Sequence, residues 1–210
     1  MIKKNRKLLL ITSVVILLPI LVGIALWNQL PQQIPSHWNA AGEIDGWCSK
    51  PFAVFGFPLI LLAVQWLCVV VTGSDPKKAN HSEKIQHLVL WIIPVLSVLL
   101  HALTYAVALG KEVRVETVMP VMIGLLLAVV GNYLPKCKQN YTIGIKIPWT
   151  LNSEENWNRT HRFAGRLWVV CGLIMMITGF FGGFWIFFAM ALLMVLVPFF
   201  YSYMLHRKGV

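Results

Sequence analysis

Six apolar runs, each about as long as a membrane is thick, constrain this chain more than any other feature. We predict transmembrane helices over residues 8–27, 52–71, 87–109, 118–134, 167–183 and 184–205. At ~1.5 Å of rise per residue, such runs cross the ~30 Å hydrocarbon layer of a bilayer. The sequence therefore predicts an all-α, polytopic membrane protein whose six transmembrane helices form a single membrane domain.

The composition excludes a soluble globular protein. Of the 210 residues, 58% are hydrophobic and 12% are charged, about half the charged fraction of an ordinary soluble domain. In a soluble chain the net charge of +10 would favour a nucleic-acid partner, but here the lysines and arginines lie between the spans. We attribute this charge to orientation in the bilayer and expect no direct contact with nucleic acid.

Basic residues are distributed unevenly between the two ends of the predicted helices. One face carries four at the amino terminus, three in loop 72–86, six in loop 135–166 and two in the carboxyl-terminal tail. The opposite face carries only Lys50, Lys111 and Arg114. Because an excess of lysine and arginine stays in the cytoplasm, we predict that both termini are cytoplasmic and that loop 28–51 is extracellular.

The acidic residues all lie outside the predicted spans: Glu43, Asp45, Asp75, Glu83, Glu112, Glu116, Glu154 and Glu155. Carboxylates inside the membrane usually mark proton or cation relays, so their absence from the spans weighs against an ion-coupled transporter. The four cysteines show neither paired nor metal-ligand spacing. His37, Glu43 and Asp45 are irregularly spaced on a loop, so we predict no metal site and no cofactor.

Loop 28–51 contains two tryptophans, two glycines and several prolines. Glycine and proline favour turns, and tryptophan rings rest at the level of the lipid headgroups. We therefore expect a compact, turn-rich cap whose rigid aromatic and charged side chains form a docking surface for a peptide. The candidate docking residues are His37, Trp38, Asn39, Gly42, Glu43, Asp45 and Lys50.

Loop 135–166 is long for a connection between two spans. The β-branched residues around Gly144 predict an extended run along the membrane surface. Thr150 or Ser153 is expected to cap an amphipathic interfacial helix that begins near Glu154 and leads into the fifth span. This helix either anchors the loop to anionic lipids or faces a cytoplasmic regulator. The candidate residues are Asn132, Asn140, Gly144, Lys146, Pro148, Trp149, Thr150, Trp157, Thr160, His161 and Arg162.

Both loops carry motifs that resemble known bacterial families. The first motif reads Ile34-Pro35-x-His37-Trp38-Asn39, then Gly42 and Ser49-Lys50. It resembles a small uncharacterised domain at the amino end of many bacterial membrane proteins. The second reads Gly131-Asn132-Tyr133, Asn140, Ile143-Gly144-Ile145-Lys146, Pro148-Trp149-Thr150-Leu151, Trp157 and Thr160-His161-Arg162. It resembles the SdpI-type family, named for the immunity protein of the sporulation-delaying toxin system.

This resemblance implies a multi-pass protein of the bacterial plasma membrane that is not an enzyme and protects its producer from a secreted peptide toxin. It also implies that the protein signals the presence of toxin by holding an autorepressor of transcription at the membrane. Where the family motif commonly reads Gly-Ile-Arg-Thr-Pro-Trp, this chain has Lys146 and Ile147. It therefore lacks a bidentate arginine contact there, and if repressor capture needs that arginine, immunity is the remaining function.

Two other classes of function stay open at this stage. Six spans with proline kinks also suit a small-molecule or peptide permease or exporter. A membrane enzyme would need an acid and a base. On the outer side these would be His37 with Glu43 and Asp45, and on the inner side His161 with Glu154 and Glu155. The sequence contains no HExxH or GxSxG motif to support an enzyme.

Overall fold

The computed structural model of the protein describes residues 5–182 and 184–210. Its helices are α1 (Arg6–Ala25), α2 (Phe57–Gly73), α3 (Glu83–Ala108), α4 (Val115–Tyr133), α5 (Pro148–Asn152), α6 (Glu154–Gly179) and α7 (Phe184–Arg207). A π-helical turn over Phe52–Gly56 leads into α2. Six of these helices are long and apolar enough to cross a membrane, which confirms the prediction of a polytopic membrane protein.

The fifth long helix differs most from its predicted span. The span was expected over residues 167–183, but α6 already begins at Glu154 because the predicted interfacial helix runs into the span without a break. The Ser153 hydroxyl caps α6 by accepting the backbone N–H of Asn156 at 3.1 Å. Gly183, the expected end of this span, lies outside the described residues, as do the predicted cytoplasmic residues Lys3 and Lys4.

The chain divides into two compact units. The first comprises the residues up to Val70 together with His87–Val115, and the second comprises Val71–Gln86 together with Glu116–Val210. The first unit holds the loop that follows α1, and the second holds the loop that follows α4.

In the first unit, side chains from α3 donate hydrogen bonds to the backbone of α1 near a proline. Pro19 lies inside α1 and lacks the N–H that a helix needs at that position. Two nearby carbonyls of α1 accept hydrogen bonds from α3, Ile16 O from Ser97 Oγ at 2.9 Å and Pro19 O from the Tyr105 hydroxyl at 3.2 Å. These two bonds tie α3 to α1 at and just before the proline.

The loop after α1 forms an antiparallel β-hairpin of β1 (Gln33–Trp38) and β2 (Ile44–Ser49). Ile34 is fully buried and anchors β1 against Ala53, Val54 and Tyr105. The sequence prediction contained helices and a turn-rich cap but no strands, so this two-stranded sheet is an addition to the predicted fold.

In the second unit, α4 and α6 pack with their backbones almost in contact. A Cβ atom added to Gly172 would lie 2.5 Å from the carbonyl oxygen of Gly124. One added to Gly165 would lie 2.7 Å from the carbonyl oxygen of Gly131. Small residues at helix interfaces permit this close approach in membranes, so these four glycines fix how α4 and α6 cross.

Candidate functional site

The tip of the hairpin is built by two of the predicted docking residues. The Asn39 side-chain oxygen accepts the backbone N–H of Ala41 at 2.9 Å and that of Glu43 at 3.1 Å. The Asn39 amide also donates to the Glu43 carboxylate at 3.0 Å. Gly42 has a φ of +79°, a left-handed conformation that favours glycine. Asn39 and Gly42 therefore shape the turn.

The predicted docking residue Lys50 is buried at the base of the hairpin. Its ammonium group donates to the carbonyl oxygen of Trp27 at 3.0 Å and lies 5.2 Å from the centre of the Trp27 ring. Only 5% of the Lys50 surface is exposed. Lys50 therefore ties the hairpin to the end of α1 and presents no charge to a partner.

The exposed face of the hairpin combines a charged pair with a tryptophan. His37 Nδ1 is hydrogen-bonded to Asp45 Oδ1, and both side chains are exposed. Trp47 lies opposite Pro35 on the neighbouring strand and is 55% exposed. Asp45 and Trp47 are both exposed in the alternating burial pattern of β2, although a register irregularity lies between them. Sequence analysis did not select Trp47, and the alternation Asp45-x-Trp47-x-Ser49 is the signal that identifies it.

The predicted docking residue Trp38 is half-buried and lies opposite Ile44. No group of three or more His, Cys, Asp or Glu side chains that could hold a metal occurs among residues 5–182 and 184–210.

The loop between α4 and α6, residues 134–153, is called the long loop below. Asn140 closes it from inside: its side-chain nitrogen donates to the carbonyl oxygens of Lys138 and Ile143, both at 2.9 Å. The Asn140 oxygen accepts the backbone N–H groups of Thr142 at 2.8 Å and Ile143 at 2.7 Å. Asn140 is 2% exposed, so this predicted signalling residue supports the loop internally.

Asp75, from the loop between α2 and α3, holds the long loop at its centre. Its carboxylate accepts the Tyr141 N–H at 3.0 Å, the Thr142 hydroxyl at 2.8 Å and the Lys77 N–H at 2.7 Å. His81 Nε2 lies 3.4 Å from the same carboxylate, and neither side chain of this pair is exposed by more than 3%. Sequence analysis selected neither Asp75 nor His81.

A second set of contacts joins the long loop to the first turns of α6. Gly144 has a φ of +119°, and a Cβ there would lie 2.5 Å from His161 Nε2. His161 Nε2 accepts the Ile145 N–H at 2.9 Å, so its Nδ1 carries the proton and donates to the Trp157 carbonyl oxygen at 2.8 Å. The Trp157 ring stacks on His161 and donates its N–H to Cys137 O at 2.7 Å. Gly144, Trp157 and His161 thus form one packed cluster.

Three further candidates are also structural. The Thr150 hydroxyl is buried and donates to the Ile145 carbonyl oxygen at 2.8 Å. Trp149 packs against three side chains of α7, Phe199, Tyr203 and His206. Thr160 is fully buried and donates to the Asn156 side-chain oxygen at 3.1 Å, which also accepts the Ser202 hydroxyl from α7.

The remaining candidates of this set lie on the surface: Asn132, Lys146, Pro148 and Arg162. The Lys146 ammonium group donates to the Thr142 carbonyl oxygen at 3.1 Å. Tyr141, which precedes Thr142 in the same loop, is 48% exposed. The structure therefore separates the predicted cytoplasmic residues into a buried scaffold and a small exposed group.

Comparison with known proteins connects both loops to one family. Residues 136–202 match the SdpI/YfhL protein family. Residues 14–62 match a domain of unknown function, DUF1648. The immunity protein SdpI of Bacillus subtilis (strain 168) is 30% identical over 194 residues, which cover 92% of this chain and 90% of that protein. This chain belongs to the SdpI family.

Membership of the SdpI family and the six apolar helices make this a multi-pass bacterial membrane protein. The SdpI/YfhL match contains most of the long loop with α5, α6 and much of α7, and the DUF1648 match contains the hairpin. No solved structure matches the chain.

Proposed function

We propose that this protein is a membrane immunity protein that protects its cell from a secreted peptide toxin without catalysing a reaction. The observation that carries the proposal is the similarity to the Bacillus subtilis immunity protein along almost the whole of both chains. A similarity confined to a few helices would support only a shared membrane architecture.

The hairpin is the surface that best suits contact with a peptide. Its exposed face offers Trp47, a large rigid side chain, next to the carboxylate of Asp45 and the imidazole of His37. Aromatic side chains dominate the binding energy of many interfaces. We propose that this face lies outside the cell, where a secreted peptide first meets the membrane.

The proposal is tested in Bacillus subtilis cells whose own immunity protein has been deleted. Cells that express this chain, or carry an empty vector, are exposed to graded doses of the sporulation-delaying peptide toxin. We expect the chain to raise the dose that kills half of the cells by about tenfold or more, which corresponds to roughly 1.4 kcal/mol or more of binding. Equal killing, with the chain present in the membrane, would contradict the proposal.

Thiol labelling tests the proposed orientation. In a variant with Ser49→Cys, an exposed position on β2, we expect a membrane-impermeant maleimide to label intact cells. Cys137 is a poor reporter for the opposite face, because burial raises the pKa of its thiol to about 11 and leaves it 6% exposed. An exposed position of the long loop, Lys146→Cys, serves instead and should label only after permeabilisation. The reverse pattern would contradict the orientation.

We also propose that the long loop faces the cytoplasm and can contact a transcriptional autorepressor or anionic lipids. Support comes from the exposed cations Lys146 and Arg162, neither of which has a carboxylate partner among the described residues. Arginine and lysine pair with acidic side chains and with lipid phosphates. Arg162 is the residue through which to test this role, because His161 is buried in the scaffold and its loss would disturb the fold.

A further inference from the structure

The register of the hairpin determines which backbone groups point away from the sheet. The Lys50 N–H donates to the Gln32 carbonyl oxygen at 2.9 Å, so these two residues form a hydrogen-bonded pair. Opposite residues of an antiparallel ladder alternate between hydrogen-bonded and non-hydrogen-bonded pairs. The next pair, Gln33 with Ser49, is therefore not hydrogen-bonded. The N–H and C=O groups of both residues point outward, one residue to each edge of the hairpin.

The two edges of the hairpin are not equivalent. On β1 the next outward-pointing residue is Pro35, which has no N–H, so that edge lacks a donor needed to pair with another strand. On β2 the outward-pointing residues are Trp47 and Ser49. Trp47 keeps both its N–H and its C=O, and Ser49 keeps its N–H, because the helical turn that begins at Lys50 uses the Ser49 C=O. The β2 edge thus offers two outward N–H donors and the β1 edge only one, so β2 is the better edge for strand pairing.

The side chains around the β2 edge define the chemistry of a partner. The hairpin carries two exposed carboxylates, Asp45, which is hydrogen-bonded to His37, and Glu43, which accepts the Asn39 amide. The positive charge of Lys50 is buried against Trp27. Trp47 supplies an exposed apolar surface on β2. An extended peptide with a basic side chain matches this combination of open backbone, negative charge and aromatic ring.

We propose that β2 binds an extended segment of the peptide toxin as a third strand of the sheet, paired to the backbone groups of Trp47 and Ser49. The proposal rests on the immunity function proposed above and specifies how the partner is recognised. The backbone pairing provides affinity without regard to sequence. Trp47 covers an apolar side chain of the peptide, and Asp45 faces a basic one.

A matched pair of proline substitutions tests this arrangement. Gln33 and Ser49 lie opposite each other and are both exposed, and the N–H of each points away from the ladder. Ser49→Pro removes an outward donor from the β2 edge, and Gln33→Pro removes the corresponding donor from the β1 edge. In the toxin assay, we expect Ser49→Pro to lower the toxin dose that kills half of the cells by about threefold to tenfold. This factor corresponds to the loss of about one hydrogen bond. Gln33→Pro and Ser49→Ala should protect like the parent chain.

The outcomes distinguish this proposal from the function on which it rests. If the parent chain gives no protection, the immunity function fails and strand pairing fails with it. If the parent protects and Ser49→Pro protects equally at equal membrane abundance, or Gln33→Pro is the weaker variant, strand pairing at β2 is overturned and the immunity function stands.

Amide hydrogen exchange of the parent chain supplies a measurement that needs no variant to fold. Adding the purified sporulation-delaying peptide to the protein in detergent should slow exchange at the Trp47 and Ser49 amides, but not at the Gln33 amide. Unchanged exchange under conditions where the peptide binds would overturn the proposal. Slow exchange that depends on protein concentration in the absence of peptide would also overturn it, because a second copy of the chain would then occupy the edge.

Discussion

Replacing Asp75 with asparagine should lower the free energy of unfolding by about 2–4 kcal/mol. The buried carboxylate accepts several hydrogen bonds, and asparagine replaces one of its two acceptor oxygens with an NH2 donor. The Asp75 carboxylate accepts two backbone N–H groups and the Thr142 hydroxyl and faces His81 in an environment closed to water. Thermal unfolding in detergent measures the loss. Asp45→Asn is the matched control: this carboxylate is 45% exposed, and we expect its loss to cost less than about 1 kcal/mol. Equal melting of Asp75→Asn and the parent chain would contradict the role assigned to Asp75.

The same residue predicts how stability depends on pH. Burial alone raises the pKa of Asp75, but hydrogen bonds from Thr142, Lys77 and Tyr141, together with the charge of His81, bring the pKa below its ordinary value. Below that ordinary value, the unfolded chain takes up a proton more readily than the folded one. The stabilisation is therefore complete above the ordinary pKa and is lost as the pH falls through the lowered one.

We accordingly expect the stability difference between the parent chain and Asp75→Asn to be largest near neutral pH and to shrink below about pH 4. Melting curves of both proteins across this range measure it. A difference that stays constant down to strongly acidic pH would show that the ionised form of Asp75 is not the stabilising one.

The membrane helices could be predicted from the sequence because a helix that crosses the bilayer needs about twenty consecutive, mostly apolar residues. The helix cap at Ser153 was also within reach, because its hydroxyl acts on a residue three positions along the chain. The hairpin was not, since Pro35, Gly42 and Gly46 suggest turns. Only the pairing of Pro35 with Trp47 shows how two strands accommodate a proline at a position that needs no donor.

The long loop shows a different limit of sequence reasoning. Gly144, Trp157 and His161 were selected as candidates for a signalling loop, but the sequence does not distinguish a residue that supports a loop from one that faces a partner. Asp75 gave no signal at all, because its contacts to Tyr141 and Thr142 join residues 66 and 67 positions apart. Such contacts become visible only when the two loops are seen together.

Removal of the exposed side chains of the hairpin should abolish most of the protection. In Asp45→Asn combined with Trp47→Ala, we expect the dose that kills half of the cells to fall by about tenfold or more, since an exposed tryptophan at the centre of an interface contributes strongly to binding. Neither side chain is buried in the fold, so membrane abundance should stay unchanged. The matched control is Lys146→Gln combined with Arg162→Gln, which removes two exposed charges from the other unit.

The most direct test of the whole account is the dose of sporulation-delaying toxin that kills half of the cells, measured for the parent chain and these two double variants at equal membrane abundance. The account predicts that the hairpin variant becomes nearly as sensitive as cells without the chain, while the variant of the long loop keeps the protection of the parent. Full protection by the hairpin variant, with sensitivity in the variant of the long loop, would contradict it.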